Sequence, residues 1–457
     1  MAYYILKSYK LKISPFEVFK SLENEKNCFF LDSSLNSHRS LGRYSFLGID
    51  PFYVLETKNQ EPFKKLRRLL AEYKISLPGS PLPFLGGAVG YLAYDLGFLL
   101  EKKLKKRTVD DLGIPDCVFG FYNTVVATDN IKKLLYIFTI GFPEKGYRLS
   151  KALCEHNFKK IYSLLSKAAG RKIDKQDKLK TSPLRLKSNF SKEDYLLAIN
   201  KAKRYIRAGD IYLVNLSQRF QAQTSFSASR IYQRLRQISP AYFSAYLALD
   251  DFQILSSSPE RFLSLGGNRI VTTRPMKGTR GRSQDRLKDK GLKRELLKSA
   301  KDQAELLMIV DLQRNDLGKV CSYDSIRVNK LRQLEEYSTV FQTTATVSGC
   351  LHKDKDRVDL LRASFPGGSI TGCPKIRAME IIEELEPNRR SIYTGSLGYL
   401  SFSGNIDFNI LIRTILKKKD KLYFGVGGGI VADSKPEEEY EETLVKARGM
   451  LSAINAI

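Results

Sequence analysis

The chain has little of what holds a small stapled protein together. Only three histidines occur in 457 residues, and its six cysteines, at positions 28, 117, 154, 321, 350 and 373, lie far apart with no Cys-x-x-Cys pair. That usage argues against a structural zinc site and a disulfide framework, so a reducing cytoplasm is the expected setting. No zinc-finger spacing and no ribonucleoprotein aromatic signature accompanies the basic charge, which argues against nucleic acid as the partner. The N-terminus has no charged-then-apolar leader pattern. The most apolar stretch, residues 82–100, is interrupted by Asp95 and four glycines, so it predicts buried strand and loop and not a membrane span. No internal repeat is evident.

What is present describes an ordinary soluble globular protein, 42% hydrophobic and 27% charged. The length suffices for two or three domain-sized units or one large enzyme domain with a sizeable core. Lysine and arginine number 76 against 49 acidic residues, a formal charge of +27. The lysines are spread along the chain, so this charge predicts a surface that attracts small polyanions.

Up to about residue 145 the pattern is mixed strand and helix. Residues 27–33 read as a buried strand, residues 42–48 alternate as a half-buried strand should, and residues 63–73 carry Leu66, Leu69 and Leu70 at helical spacing. Residues 146–187 form a basic connector, with a helix over 151–169 and a polar loop over 171–187. Ser191 is placed to cap a helix with Asp194 at the capping-box position, Tyr195, Ile199, Ala202 and Ile206 as its buried stripe and Gly209 as its end. A strand over 210–220 and a helix over 229–238 follow.

Chemistry concentrates after residue 250. Residues 262–265 and 269–272 read as a hairpin around Gly266-Gly267-Asn268. Pro275 is expected to end its ladder and deliver Lys277 onto a loop flanked by Gly278 and Gly281. Arg274, Arg280 and Arg282 surround that lysine in sequence, and neighbouring cations favour the neutral, nucleophilic amine. A solvated basic loop is the other reading of the same residues. Glu260 is an isolated carboxylate in a strand region, either functional or paired with Arg261. Asp302 and Glu305 share a face of a helix over 300–312 whose Leu306-Leu307-Met308-Ile309-Val310 run implies burial nearly all round. Buried carboxylates need a cation or donors.

Residues 365–375 run from a glycine-rich loop containing Ser369 into a helix, a place where free N–H groups bind anions. Near the C-terminus Gly425-Val426-Gly427-Gly428-Gly429 is expected to form a second anion-sized nest between strands. Pro436 then opens a helix rich in glutamate. Its acidic first turns suit the helix dipole, but Glu439 and Glu442 also lie together away from the stripe of Tyr440, Leu444, Ala447 and Leu451. Two carboxylate pairs with no histidine or cysteine beside them would suit Mg²⁺.

Across these groups the chain resembles the chorismate-utilising enzymes over nearly all its length. GRYSFLGIDP, GGAVGY, SPERF, RPMKGTR, AELLMIVDLQRNDLG, FPGGSITGCPKIRAMEII, YTGSLGY and GVGGGIVADS occur in the family's order. The resemblance implies an α+β fold of two packed β-sheets, a sandwich-like core with helices outside. Residues 1–145 would be the N-terminal region and residues 188–457 the chorismate-binding catalytic region. Lys277 matches the catalytic lysine, with Met276 where isoleucine is usual, and Glu260 matches a carboxylate that helps the C4 hydroxyl leave. Glu305 and Glu442 match Mg²⁺ ligands, with Asp302 and Glu439 as carboxylates acting through water. Ser369, Tyr393, Arg413, Gly427, Gly428 and Gly429 fall at substrate-binding positions. Ser33 matches the serine of a tryptophan pocket.

Lys277, residues 215–218 and residues 240–244 resemble the aminodeoxychorismate-forming branch, which serves 4-aminobenzoate and folate synthesis. The anthranilate-forming branch, which usually has alanine at the lysine position, is the alternative enzyme, and a non-catalytic basic binding protein is the alternative of another class. Two departures stand out: Gln342 where most relatives have histidine, and Leu213 where they have glutamine. The implied partners are chorismate and ammonia. No cysteine-histidine-glutamate glutaminase pattern is present, so ammonia would come from solution or from a separate glutamine amidotransferase subunit.

Overall fold

Two long antiparallel sheets, each covered on its outer side by helices, make up the computed structural model, which describes residues 2–35, 41–168, 184–337 and 340–455. The first sheet runs in the spatial order Tyr4–Lys10, Leu134–Ile140, Thr124–Asp129, Tyr44–Gly48, Phe29–Asp32, Phe243–Ala248, Phe252–Ser258, Thr414–Lys418, Lys421–Ile430, Leu213–Gln223 and Gly372–Cys373. The second runs Met276–Gly281, Val340–Cys350, Ile270–Arg274, Arg261–Leu265, Ile406–Ile410, Ser396–Ser401, Gly87–Leu92, Cys117–Tyr122 and Tyr53–Thr57. Strands from the beginning and the end of the chain share both sheets.

Strand alternation assigns the layers. Phe29 joins Phe46, Val89, Tyr91, Val118 and Tyr399 in a core between the sheets, while Phe30 faces out to Phe19, Tyr232 and Met450 of the covering helices. On the second sheet Tyr91 points inward and Leu92 outward, where Leu66, Leu306 and Met379 cover it. Successive side chains point to opposite faces and both faces are covered, so Cys117–Tyr122 is buried at every residue. The α+β architecture expected from the resemblance is the one observed.

Several local expectations correspond closely. The helix Phe63–Glu72 buries Phe63, Leu66, Leu69 and Leu70. The 262–272 hairpin forms between Arg261–Leu265 and Ile270–Arg274. Ser191 caps the helix Lys192–Arg207 by accepting from the Asp194 N–H, but its hydroxyl donates to the Asp194 carboxylate at 2.8 Å in place of the reciprocal capping box. Residues 82–100 supply the strand Gly87–Leu92 and two short helical turns, and among the described residues no helix is long and apolar enough to cross a membrane. The helix Tyr147–Ala168 lies against the first sheet: Thr139 Oγ1 donates to the Cys154 carbonyl at 3.0 Å and Ile161 is buried. Residues 169–183, most of the expected polar loop, lie outside the described residues.

One helix is more exposed than its composition suggested. Ala300–Gly318 is longer than expected and buries Asp302, Glu305, Leu306, Ile309 and Val310, yet Leu307 is 48% exposed. Only the face carrying the two carboxylates meets the sheets. Asp316 sits inside its last turn and binds Lys375 at 2.5 Å and Lys319 at 3.0 Å.

Candidate functional site

A pocket of about 370 Å³ lies where both sheets meet the helices Ala300–Gly318 and Pro436–Ala453. Lys277 reaches it from Met276–Gly281, which is not the predicted loop but an edge strand paired with Val340–Cys350. Pro275 interrupts the chain without ending the sheet, because its carbonyl accepts from the Ala345 N–H at 3.0 Å. The register shifts between Lys277 and Thr279, and Gly278 takes φ +74° at the shift. A side chain at 278 would meet Leu296 at 2.8 Å and Asp302 at 3.0 Å, so glycine is required there on two counts.

The predicted ring of arginines around Lys277 does not form. Arg274 pairs with Glu335, Arg280 with Glu295 at 2.7 Å and with Asp302 at 3.1 Å, and Arg282 with Asp289 at 2.8 Å. Each is neutralised by its own carboxylate. The Lys277 ammonium position instead lies within the field of Glu260, Glu305 and Glu442. Among the described residues no hydrogen bond or ion pair occupies its Nζ.

Glu260 sits in the link between Phe252–Ser258 and Arg261–Leu265 and is 4% exposed. Burial raises its carboxyl to about 7, against the opposing pull of the Ser369 hydroxyl, which donates at 2.5 Å, and of Lys277. The alternative pairing with Arg261 does not occur. Arg261 turns to the opposite face, where it forks onto Asp407 at 2.9 and 2.8 Å.

The opposite wall is acidic. Burial, reinforced by the nearby charges of Glu439 and Glu442, raises the Glu305 carboxyl, while Lys277 and Lys301 oppose the shift. Glu439 accepts from Lys301 at 2.9 Å and from the Ser434 hydroxyl at 2.6 Å. Glu442 pairs with Lys446 at 2.7 Å, and Lys446 also donates to the Gly427 carbonyl at 2.9 Å. Lys301 was not singled out in the sequence. Its signal was spacing: Lys301 and Glu305, like Glu442 and Lys446, are four apart on one helix face.

Among the described residues no three histidine, cysteine, aspartate or glutamate side chains converge as a ready metal cage. The donors nevertheless fit Mg²⁺ in kind. They are all oxygens, Glu305 has no hydrogen bond or ion pair among the described residues, and a hard cation that keeps most of its waters needs only one or two carboxylates.

The remaining walls are neutral or cationic. Arg413 has a left-handed backbone, φ +49°, a costly conformation for a non-glycine residue. Its guanidinium donates to Gln342 Oε1 at 3.0 Å, and Gln342 in turn donates to Thr279 Oγ1 at 3.2 Å. Arg413 has no carboxylate partner among the described residues, which leaves its charge for an anion. Tyr393 and Ser369 line the same pocket.

The glycine run does not make the nest expected from the sequence. It is extended inside Lys421–Ile430, with Gly427 opposite Ser217, Gly428 opposite Leu216 and Gly429 opposite Asn215. Gly427 and Gly429 sit opposite Ser217 and Asn215, whose own N–H groups turn away to Glu386 and Thr371, and the absent side chains supply clearance. A Cβ at 425 would lie 2.4 Å from the Tyr393 ring, and one at 429 would lie 3.1 Å from Lys277 Nζ and 3.3 Å from Glu305. Gly427 and Gly429 line the pocket, whereas Gly428 faces Glu439 and Glu442.

Thus Lys277, Glu260, Ser369, Tyr393, Arg413, Gly427, Gly429, Asp302, Glu305, Glu439 and Glu442 come together at one place. Ser33 does not join them. It lies on a second cavity of about 600 Å³ with Tyr44, Phe243, Arg261 and Asp407, its hydroxyl donating to the Tyr44 carbonyl at 2.7 Å.

Comparison with known proteins accounts for nearly the whole length. Residues 26–452 match the family described as chorismate binding enzyme. The chain is 39% identical to anthranilate synthase component 1 of Acetivibrio thermocellus, over 96% of this chain and 92% of that protein. It is also 39% identical to aminodeoxychorismate synthase component 1 of Salmonella typhimurium, over 88% of this chain and 82% of that protein. The crystal structure of anthranilate synthase component I from Streptococcus pneumoniae superposes with a TM-score of 0.79 at 32% identity, covering 90% of this chain and 92% of that one.

Proposed function

As the chain belongs to the chorismate-binding enzymes, we propose that it aminates chorismate at C4 to give 4-amino-4-deoxychorismate, the precursor of 4-aminobenzoate for folate. The observation that carries this reading is the Lys277 amine, which has no partner among the described residues and shares the pocket with the buried acid Glu260. Glu260, protonated below about pH 7, gives its proton to the C4 hydroxyl, which leaves as water. Lys277 gives its ammonium proton to solvent and adds through the freed lone pair at C2, and the ring double bonds shift. Ammonia then bonds to C4, the C2–Nζ bond breaks, and the surplus proton of the new ammonium returns to Glu260. Chorismate and ammonia thereby give the amino product and water, and both side chains are regenerated. Arg413 would take a substrate carboxylate. Glu305 and Glu442 would hold Mg²⁺, with Asp302 and Glu439 around it, and the ion would neutralise substrate charge.

Gln342 supports release of a non-aromatic product. Eliminating pyruvate from the amino intermediate requires a base for a ring proton, and an amide is too weak for that work. Ammonia would come from solution or from a separate glutamine amidotransferase subunit. Anthranilate synthesis is the second reading, favoured by the equal identity to an anthranilate synthase component 1. The test is chromatography of chorismate incubated with ammonium and Mg²⁺, with and without a pyruvate-eliminating lyase. The expected product keeps its enolpyruvyl group until the lyase is added. Anthranilate as the main product would overturn the assignment.

A further inference from the structure

Asn215 enters the pocket between the groups already described, on the strand Leu213–Gln223 opposite Gly429. It is 8% exposed, and its carboxamide oxygen is buried with no hydrogen-bond partner among the described residues. Its backbone, by contrast, is fully engaged. The N–H donates to the Thr371 carbonyl at 2.8 Å, and the carbonyl accepts from Arg390 Nη2 at 2.5 Å. Arg390 is itself fixed by Glu386, whose carboxylate also accepts from the Ser217 N–H at 2.8 Å. The strand is thus clamped on both sides of Asn215, and the side-chain amide is what remains to be satisfied. Leaving such an oxygen buried and unpaired is unfavourable, so a position this rigid points to a ligand donor.

The surroundings narrow the donor. Asn215 Oδ1 lies 2.9 Å from where a Cβ on Gly427 would stand, and Gly429 beside it borders Lys277 Nζ and Glu305. The acceptor therefore sits on the same cleared floor as the amine that attacks the substrate. Substrate carboxylates have no hydrogen to give it. Ammonia has three N–H bonds and one lone pair, and the lone pair must point at carbon. A neutral amide oxygen can hold one of those N–H bonds without the preference for ammonium that a carboxylate would impose, and ammonium has no lone pair with which to attack.

We infer that the carboxamide of Asn215 is the binding point for the attacking ammonia. This rests on the amination reading but not on which carbon is aminated. The experiment measures initial rates of the full chain with Mg²⁺, varying ammonium at saturating chorismate and then the reverse. Asn215→Leu, branched alike but without an acceptor, should raise KM for ammonia about tenfold while KM for chorismate stays within about twofold, and Asn215→Ala should do the same if Leu perturbs folding. Thermal melting confirms that each variant is folded. Unchanged KM for ammonia in both variants, or a rise confined to chorismate, overturns the inference while amination by the wild type stands. A wild type that incorporates no ammonia at all overturns both.

Discussion

The pocket around Lys277 and the cavity around Ser33 are built from the same two sheets but treat charge in opposite ways. In the Ser33 cavity the charged side chains are matched: Arg261 forks onto Asp407, Arg43 binds Asp129 at 2.8 Å, and Asp32 receives Arg236 at 2.8 Å. In the Lys277 pocket, among the described residues, the lysine amine and the Glu305 carboxylate have no hydrogen bond or ion pair, and Arg413 is bonded to the neutral Gln342 with no carboxylate partner. Burial without partners is costly. A fold retains it where a ligand supplies the missing contacts, so unpaired charge separates these cavities better than size or composition does.

The contrast is broken most severely at the nucleophile. Lys277→Met should lower aminated product by about a thousandfold or more with melting unchanged, since covalent addition has no substitute. Product formed at the wild-type rate would remove the lysine from the mechanism. Next in size, Glu260→Gln should cost roughly 10²–10⁴-fold by removing the proton given to the leaving hydroxyl. The wild-type rate should fall as pH rises through about 7, because burial raises the Glu260 carboxyl to that value and only its protonated form is the acid. Ser369→Ala removes a donor that favours the carboxylate, so this falling limb should move to higher pH.

Smaller effects sharpen the comparison. Glu305→Gln and Glu442→Gln should each reduce turnover about 10–100-fold and weaken its dependence on added Mg²⁺, as titrated against a chelator. Full activity in the chelator would exclude that role. The least effect on chemistry is expected in the other cavity. Asp407→Asn should lower the melting temperature by unpairing half-buried Arg261, while kcat at a permissive temperature changes by no more than about twofold. A large loss of kcat there would mean the two cavities are coupled.

Legibility in the sequence followed the range of each interaction. Helix Phe63–Glu72, the Ser191 cap and the 262–272 hairpin were readable because apolar spacing and turn residues act over a few positions. The identities at the site were readable through the motifs around Glu260, Lys277, Ser369 and Glu442, which come together in one pocket. The surroundings of those residues were not. Arginines adjacent to Lys277 in sequence proved to be remote in charge because each found a carboxylate elsewhere, and the glycine run read as a nest is held straight by pairing with residues some 210 positions earlier.

The sequence alone therefore determined most of the helices and hairpins and which chemical groups are available, since propensity, periodicity and motif identity are local properties of the chain, whereas the edge strand Met276–Gly281, read as a loop, forms through its pairing with Val340–Cys350. Only the tertiary structure decided which of those groups are left without partners. That depends on strand register and helix placement, which brought Glu335, Glu295 and Asp289 to the arginines and left Lys277, Glu305 and Asn215 facing one cleared floor. Long-range pairing sets electrostatic environment, and environment sets reactivity.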